Sequence, residues 1–316
     1  MKKWLAMLIF IGFALAIGTS EPFEIIYTDD EPFRINLQKE ELNVLQITDL
    51  HLAFGIDYRD QKTFKLIRKL AEADSFDLIV VTGDITMSPQ APMLFRQFIR
   101  FMETLKTPWT FVFGNHETDF HTYSHFIKQI KNTQYLYFKV GPYIPDGGVG
   151  NFAIEFFYQQ HPFYKAYFLD SKAERKIYTE EEGEYDYLSL YQVAWYEQHV
   201  EQDTTDSWVF MHIPLRQFIE VGDDLIGLFL ERKVYAQGKD TGFFDAMVRH
   251  GRSKAVFVGH DHLNDFLFLN QGILLAYGRV TGYNAYGYIN RGGRVIHVDS
   301  SGHMVTSIIT DTEVFK

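Results

Sequence analysis

Five apolar, strand-like runs of this sequence each end on a polar cluster, and that recurrence restricts the folds open to the chain. The runs are Asn43–Thr48, Asp77–Thr82, Trp109–Phe113, Trp208–Met211 and Ala255–Val258. They end at Asp49-Leu50-His51, Gly83-Asp84, Gly114-Asn115-His116-Glu117, His212 and Gly259-His260-Asp261-His262. Between the first three, Lys62–Ala73 and Met93–Leu105 have the apolar spacing of amphipathic helices. This βαβαβ order predicts an α/β protein with a parallel sheet and right-handed crossovers. In such sheets the functional groups gather beyond the carboxyl ends of the strands, where these clusters fall.

The rest of the chain is less regular. Thr118–Lys131 and Tyr191–Val200 read as helices, and Phe152–Phe157 and Ala166–Leu169 as strands. Asp265–Leu269, Ile273–Tyr277, Arg294–Val298 and Met304–Ile309 read as short, mostly antiparallel strands. Two sheets face to face with helices outside fit this order. The acidic stretch Glu180–Asp186 reads as a solvated loop, and the aromatic run Phe152–Phe168 as strand packing.

At the N-terminus, Lys2 and Lys3 precede an uncharged apolar stretch, Trp4–Ile17, followed by the small residues Gly18 and Ser20. This order predicts a signal peptide over residues 1–20, with cleavage after Gly18 or Ser20, and hence a secreted or periplasmic protein. The stretch is shorter than the roughly 18 residues of a spanning helix, so no stable membrane insertion is expected after cleavage. An uncleaved N-terminal anchor is the alternative. The formal charge of −11 becomes −13 when the two lysines of that leader are removed, and an acidic chain is a poor partner for a long nucleic acid. The chain has no cysteine, which excludes disulfides, thiolate ligands and cysteine nucleophiles together.

Carboxylate, imidazole and amide donors suit borderline divalent or trivalent metals rather than soft ones. Two ions about 4 Å apart need a shared carboxylate, and Asp84 is the natural bridge. Glycines at 83, 114 and 259 let the backbone turn sharply beside the donors. Taken singly, Asp49, Asp84 and Asn115 could be caps or turn residues, which are common at strand ends. The set is harder to dismiss, since four histidines fall in register with them.

Asp-x-His, Gly-Asp, Gly-Asn-His-[Asp/Glu], a strand-terminal His and Gly-His-x-His, in that order over residues 49–262, resemble the calcineurin-like metallophosphoesterases. Gln192, Trp195, the run Val258–Asp265 and the Gly- and Tyr-rich stretch Gly278–Gly287 resemble the branch of small purple-acid-phosphatase-like proteins. The resemblance implies an αββα sandwich of two mixed β-sheets flanked by helices, as a single domain over residues 21–316. It implies that Asp49, His51, Asp84 and His262 hold a first metal and Asp84, Asn115, His212 and His260 a second. His116, and Asn115 with it, would contact the substrate phosphate. Purple acid phosphatases place a tyrosine shortly after the Gly-Asp element; here Ile85-Thr86-Met87-Ser88 follows, so a colourless site is expected.

The activity implied is hydrolysis of phosphate mono- or diesters by in-line attack of a metal-bridging hydroxide, with His116 aiding the leaving oxygen. The ions could be iron, manganese or zinc. The alternative is a catalytically silent scaffold of the same fold. Asp261, Asn264 and Asp265 read as turn and solvation residues, with support of His260 or His262 as the alternative. His121 and His125, at i and i+4 on the expected helix, could reach a substrate, and Tyr283, Asn284 and Tyr286 could line its pocket.

Overall fold

The computed structural model describes residues 24–316, so the predicted signal peptide lies outside the described residues. The described residues form twelve strands: β1 (Phe33–Asn36), β2 (Leu42–Ile47), β3 (Leu78–Thr82), β4 (Trp109–Val112), β5 (Phe152–Tyr158), β6 (His161–Phe168), β7 (Ser207–Phe210), β8 (Ser253–Val258), β9 (Leu267–Asn270), β10 (Ile273–Tyr277), β11 (Gly292–Val298) and β12 (Met304–Thr310). The helices are α1 (Tyr58–Ala71), α2 (Ala91–Glu103), α3 (Tyr123–Ile127), α4 (Leu190–Val200), α5 (Phe243–His250) and α6 (Asp311–Val314).

Two mixed sheets form. One runs β1-β5-β6-β7-β8-β10-β9 and the other β12-β11-β2-β3-β4. Residues alternate across each strand, so every central strand feeds two apolar layers. Val44, Val80 and Val112 of one sheet meet Phe168, Phe210 and Phe257 of the other in the layer between them. On the outer faces, Leu45, Ile79 and Phe111 pack under α1 and α2, while Val209 and Val256 pack under α4 and α5. The predicted sandwich flanked by helices is therefore the fold observed.

The parallel register brings the donors together. Ile47 is level with Val81, and Thr82 with Val112, so β2, β3 and β4 release Asp49, Asp84 and Asn115 along one edge. Phe210 is level with Phe257, so β7 and β8 release His212 and His260 at the facing edge. Gln46 donates to the Val258 carbonyl at 2.9 Å and ties the two edges together.

Several local expectations fail for identifiable reasons. The helix expected over Thr118–Lys131 shrinks to a 3-10 turn at His116–Thr118 and the short α3, because Thr122 and His125 form a capping box that starts the helix late. β10 pairs parallel to β8 and antiparallel only to β9. β1 and α5 were not anticipated. α5 is eight residues long and bounded by Gly242 and Gly251, both left-handed, so its period is short.

Candidate metal centre

Asp49, His51, Asp84, Asn115, His212, His260 and His262 all converge, and each is buried. Asp49, His51, Asp84 and His260 have positive φ of 54°, 47°, 50° and 82°. Non-glycine residues adopt that region at a cost, which the surrounding bonds must hold in place. Gly83, at φ 87°, leaves room for a neighbour: a Cβ there would lie 2.6 Å from His212 Nδ1. Gly114 is equally constrained, since a Cβ would collide with the Asp84 carboxylate and backbone nitrogen. The Asn115 side chain caps nothing; Asp84 Oδ1 accepts the His116 N–H at 3.0 Å, and Asp49 accepts the His260 N–H at 3.1 Å.

The donors fall into two groups able to hold a metal ion. Asp49, His51, Asp84 and His262 form one, and Asp84, His212 and His260 the other. His51 Nε2 lies 3.0 Å from His262 Nε2, and His262 Nε2 3.3 Å from Asp49 Oδ1. In the second group, His212 Nε2 is 3.1 Å from Asn115 Oδ1 and 3.3 Å from His260 Nδ1. Ligands at roughly 2.1 Å from a shared ion are separated by about 3.0–3.4 Å, so these spacings fit a metal in each group. Asp84 Oδ2 stands 3.5 Å from His51 Nε2 and 3.3 Å from His212 Nε2, the position of a bridging oxygen. His212 Nδ1 donates to the Thr82 carbonyl at 2.7 Å, which fixes the ring with Nε2 turned toward the cluster.

The electrostatics also favour a cation. Burial opposes protonation of His212, yet Asp84 and then Asp49 outweigh it and push the imidazole up to about 10. Burial and the neighbouring His212 charge push His260 down to about 3. Burial works against ionising Asp84, but His212 and His51 hold its carboxyl well below the usual range.

The supporting residues were mostly missed at the level of sequence. Glu117 is fully buried and accepts N–H groups from Gly114 at 2.7 Å, Thr86 at 2.9 Å and Asp84 at 3.2 Å, binding the ends of β3 and β4. Burial, then the Asp84 charge, pushes it up to about 7. Glu174 accepts from Asn115 Nδ2 at 2.9 Å. Asp261, Asn264 and Asp265 are not solvated turn residues: all are buried. Asp261 accepts from Tyr277 Oη at 2.6 Å, Asn264 donates to the Lys233 carbonyl at 3.1 Å, and Asp265 pairs with Arg279.

The centre opens into a cleft of about 500 Å³ walled by Met87, Tyr185, Glu231, Tyr235, Asn284 and Tyr286. His116 sits at its edge, with Nδ1 2.8 Å from Asp119 Oδ2 and Nε2 4.0 Å from Asp84 Oδ2. Burial opposes its charge, but Asp84 and Asp119 raise its pKa above the ordinary value. His121 and His125 do not line the cleft: His121 precedes α3 and donates to the Pro89 carbonyl at 2.8 Å, while His125 bonds Thr122. Tyr283 instead donates to Asp311 at 2.6 Å. The Glu180–Asp186 stretch is not wholly solvated, since the Tyr185 ring stands edge-on to His260 at 4.3 Å.

Similar architecture occurs in a solved dimetal phosphatase from Danio rerio, with a TM-score of 0.55 at 12% identity, covering 85% of this chain and 98% of that one. A model of the calcineurin-like phosphoesterase family matches residues 42–264, and the chain belongs to that family. Among curated relatives, probable inactive purple acid phosphatase 14 of Arabidopsis thaliana is 28% identical over 81% of this chain and 74% of its own. Probable inactive purple acid phosphatase 29 of the same plant is 27% identical over 82% and 77%. A probable cyclic nucleotide phosphodiesterase of Xenorhabdus bovienii is 31% identical over 24% of this chain and 34% of its own.

Proposed function

We propose that the protein is a dinuclear-metal phosphoesterase that hydrolyses phosphate mono- or diesters outside the cytoplasm. The observation that carries the reading is the pair of buried donor groups sharing Asp84, with His116 at the mouth. Asp49, His51, Asp84 and His262 would hold one ion, and Asp84, Asn115, His212 and His260 the other. When bound, iron, manganese or zinc ions would lower the pKa of a coordinated water and neutralise phosphate oxygens.

The chain's own residues supply the rest. Asp119 accepts from His116 Nδ1, which turns Nε2 toward the cleft. His116 Nε2 then carries the proton delivered to the leaving oxygen. Asn115 and His116 orient the phosphate, and the close walls of the cleft limit its approach. The leader-like residues 1–20 support export.

A catalytically silent scaffold is the competing reading, and it draws on the word "inactive" in the relatives' names. The complete donor set and His116 of this chain weigh against it. The deciding experiment is hydrolysis of p-nitrophenyl phosphate and bis-p-nitrophenyl phosphate by metal-reconstituted protein beside Asp84→Asn. Turnover lost in the variant supports the enzyme, and the ratio of the two rates ranks monoester against diester. Protein holding two metals yet inert to both esters would sink the general phosphoesterase.

A further inference from the structure

The cleft carries a second kind of information, in the groups that face it besides the donors. Among the described residues, no lysine or arginine lines it. Its outer wall is instead three tyrosines, 185, 235 and 286, with the carboxylate of Glu231. These groups are pinned to the His260–Leu263 turn. The Tyr286 ring stacks on His262 at 4.0 Å and its hydroxyl donates to Glu231 Oε1 at 2.6 Å. Glu231 Oε1 also accepts the Leu263 N–H at 3.0 Å, which leaves Oε2 without a partner among the described residues. The Tyr235 N–H donates to Asp261 at 3.2 Å, and the Tyr185 ring stands perpendicular to Tyr235 at 6.5 Å.

This wall is suited to one kind of substituent. One phosphate group can be neutralised at the metal centre, but a second anionic group at the rim would face Glu231 in a lining without lysine or arginine among the described residues. An aromatic face beside a carboxylate favours an ammonium cation. One of these rings already shows the chemistry within the chain: Lys233, which lines the neighbouring cavity and not the cleft, holds its ammonium 4.1 Å over Tyr235.

Resting on the phosphoesterase reading, we propose that the cleft takes a phosphoester of an ammonium-bearing alcohol, of the choline or ethanolamine type, with its ammonium group against Tyr286 and Glu231. Water supplies the oxygen that replaces an alkoxide on phosphorus, and the departing alkoxide takes up a proton, so no further reactant is required. The same chemistry could come from a soluble ester or from a lipid headgroup. Polyphosphates are the class most strongly disfavoured.

The test uses metal-loaded protein and two chromogenic diesters of equal shape. These are p-nitrophenyl phosphorylcholine and its neutral isostere, p-nitrophenyl 3,3-dimethylbutyl phosphate. An exposed ion pair with one cation–π contact is worth about tenfold in kcat/KM, so that preference is expected for the choline ester. Glu231→Gln keeps the acceptor for Tyr286 and Leu263 and should bring the ratio down to about two to five by losing the ion pair. Because it is a ratio, a general loss of activity cancels. Equal turnover of both esters by the wild type would overturn the ammonium subsite and leave the phosphoesterase standing.

If neither diester turns over, p-nitrophenyl phosphate decides whether the phosphoesterase reading fails, and calorimetry with phosphocholine against 3,3-dimethylbutyl phosphate decides the subsite separately. Equal binding there overturns it, and tighter phosphocholine binding lost in Glu231→Gln upholds it. Parallel arms with glycerophosphocholine and with phosphatidylcholine vesicles separate a soluble source from a lipid one.

Discussion

Glu174 should govern how well the second metal group of the centre holds its ion. Asn115 can offer an ion its carbonyl oxygen but not its amide nitrogen, and the two ends differ only by a flip of the side chain. Glu174 can only accept, and it takes Asn115 Nδ2 at 2.9 Å, so Oδ1 is turned toward His212 Nε2 at 3.1 Å. A hydrogen bond to a charged group contributes about 1.5–3 kcal/mol when enclosed. Glu174 is exposed while Asn115 is 2% exposed, so solvent screening brings the figure to roughly 1–1.5 kcal/mol. That corresponds to about tenfold in affinity, at the lower end of what orienting partners of metal ligands usually contribute.

The assay is competitive titration of zinc or manganese against a chelating dye, with bound metal counted independently. Glu174→Ala should leave the first equivalent unchanged and weaken the second about tenfold. Glu174→Gln retains a carbonyl acceptor and should fall between. In an Asn115→Ala background, removing Glu174 should add less than about 0.5 kcal/mol, because both changes delete one interaction. A folded Glu174→Ala protein that binds its second ion as tightly as the wild type would refute this account. So would effects of the two single changes that simply add.

Further outcomes follow from the same geometry. Gly83→Ala forces a left-handed φ of 87° on a residue with a side chain and sets its Cβ 2.6 Å from His212 Nδ1; urea unfolding should show a loss of about 2–4 kcal/mol, with weakened metal binding. Removing metal with a chelator should lower the thermal midpoint by about 5–10 °C, since an ion at a hundredfold excess over its dissociation constant adds about 2.7 kcal/mol; Asp84→Asn should show little of that response. Asp170 is fully buried, and burial raises its pKa from 3.8 to about 6 despite N–H groups donated by Val149 and Lys172. Its folded value exceeds its unfolded one, so its contribution is fully present below pH 4 and is lost as pH rises through 6. Wild-type stability should therefore fall by up to about 3 kcal/mol from pH 4 to pH 7 relative to Asp170→Asn, measured by urea unfolding; parallel profiles would exclude the effect.

What could be read from the residues, and what could not, divides along sequence distance. Asp49, Asp84, Asn115, His212 and His260 were legible because each directly follows a buried run, and parallel registers such as Ile47 with Val81 place such ends side by side. The sandwich was legible for the same reason, since β2, β3 and β4 alternate with α1 and α2 in short, periodic units. The groups that orient the donors were not. Glu174 reaches Asn115 across 59 positions, from a stretch with no period of its own, and nothing nearby distinguishes its carboxylate from its acidic neighbours.

Asp261, Asn264 and Asp265 were misread for a related reason. Polar residues after Gly259 have the composition of a solvated turn, and only the fold reveals that Tyr277, Lys233 and Arg279 come back to satisfy them. Glu117 belonged to a recognised element yet carried no visible task, because its partners are backbone N–H groups, which leave no trace in side-chain identity. Local order thus specifies which atoms can bind a metal, whereas the contacts that set their tautomer, flip and charge arise from closure of the two sheets. The same division bears on substrate choice. Tyr185, Glu231 and Tyr286 come from three separate loops, and they act as one wall only because all three lean on the turn that carries His260 and His262. Under the proposed function, a change in any one loop would therefore alter which ester is accepted while leaving the candidate metal donors untouched.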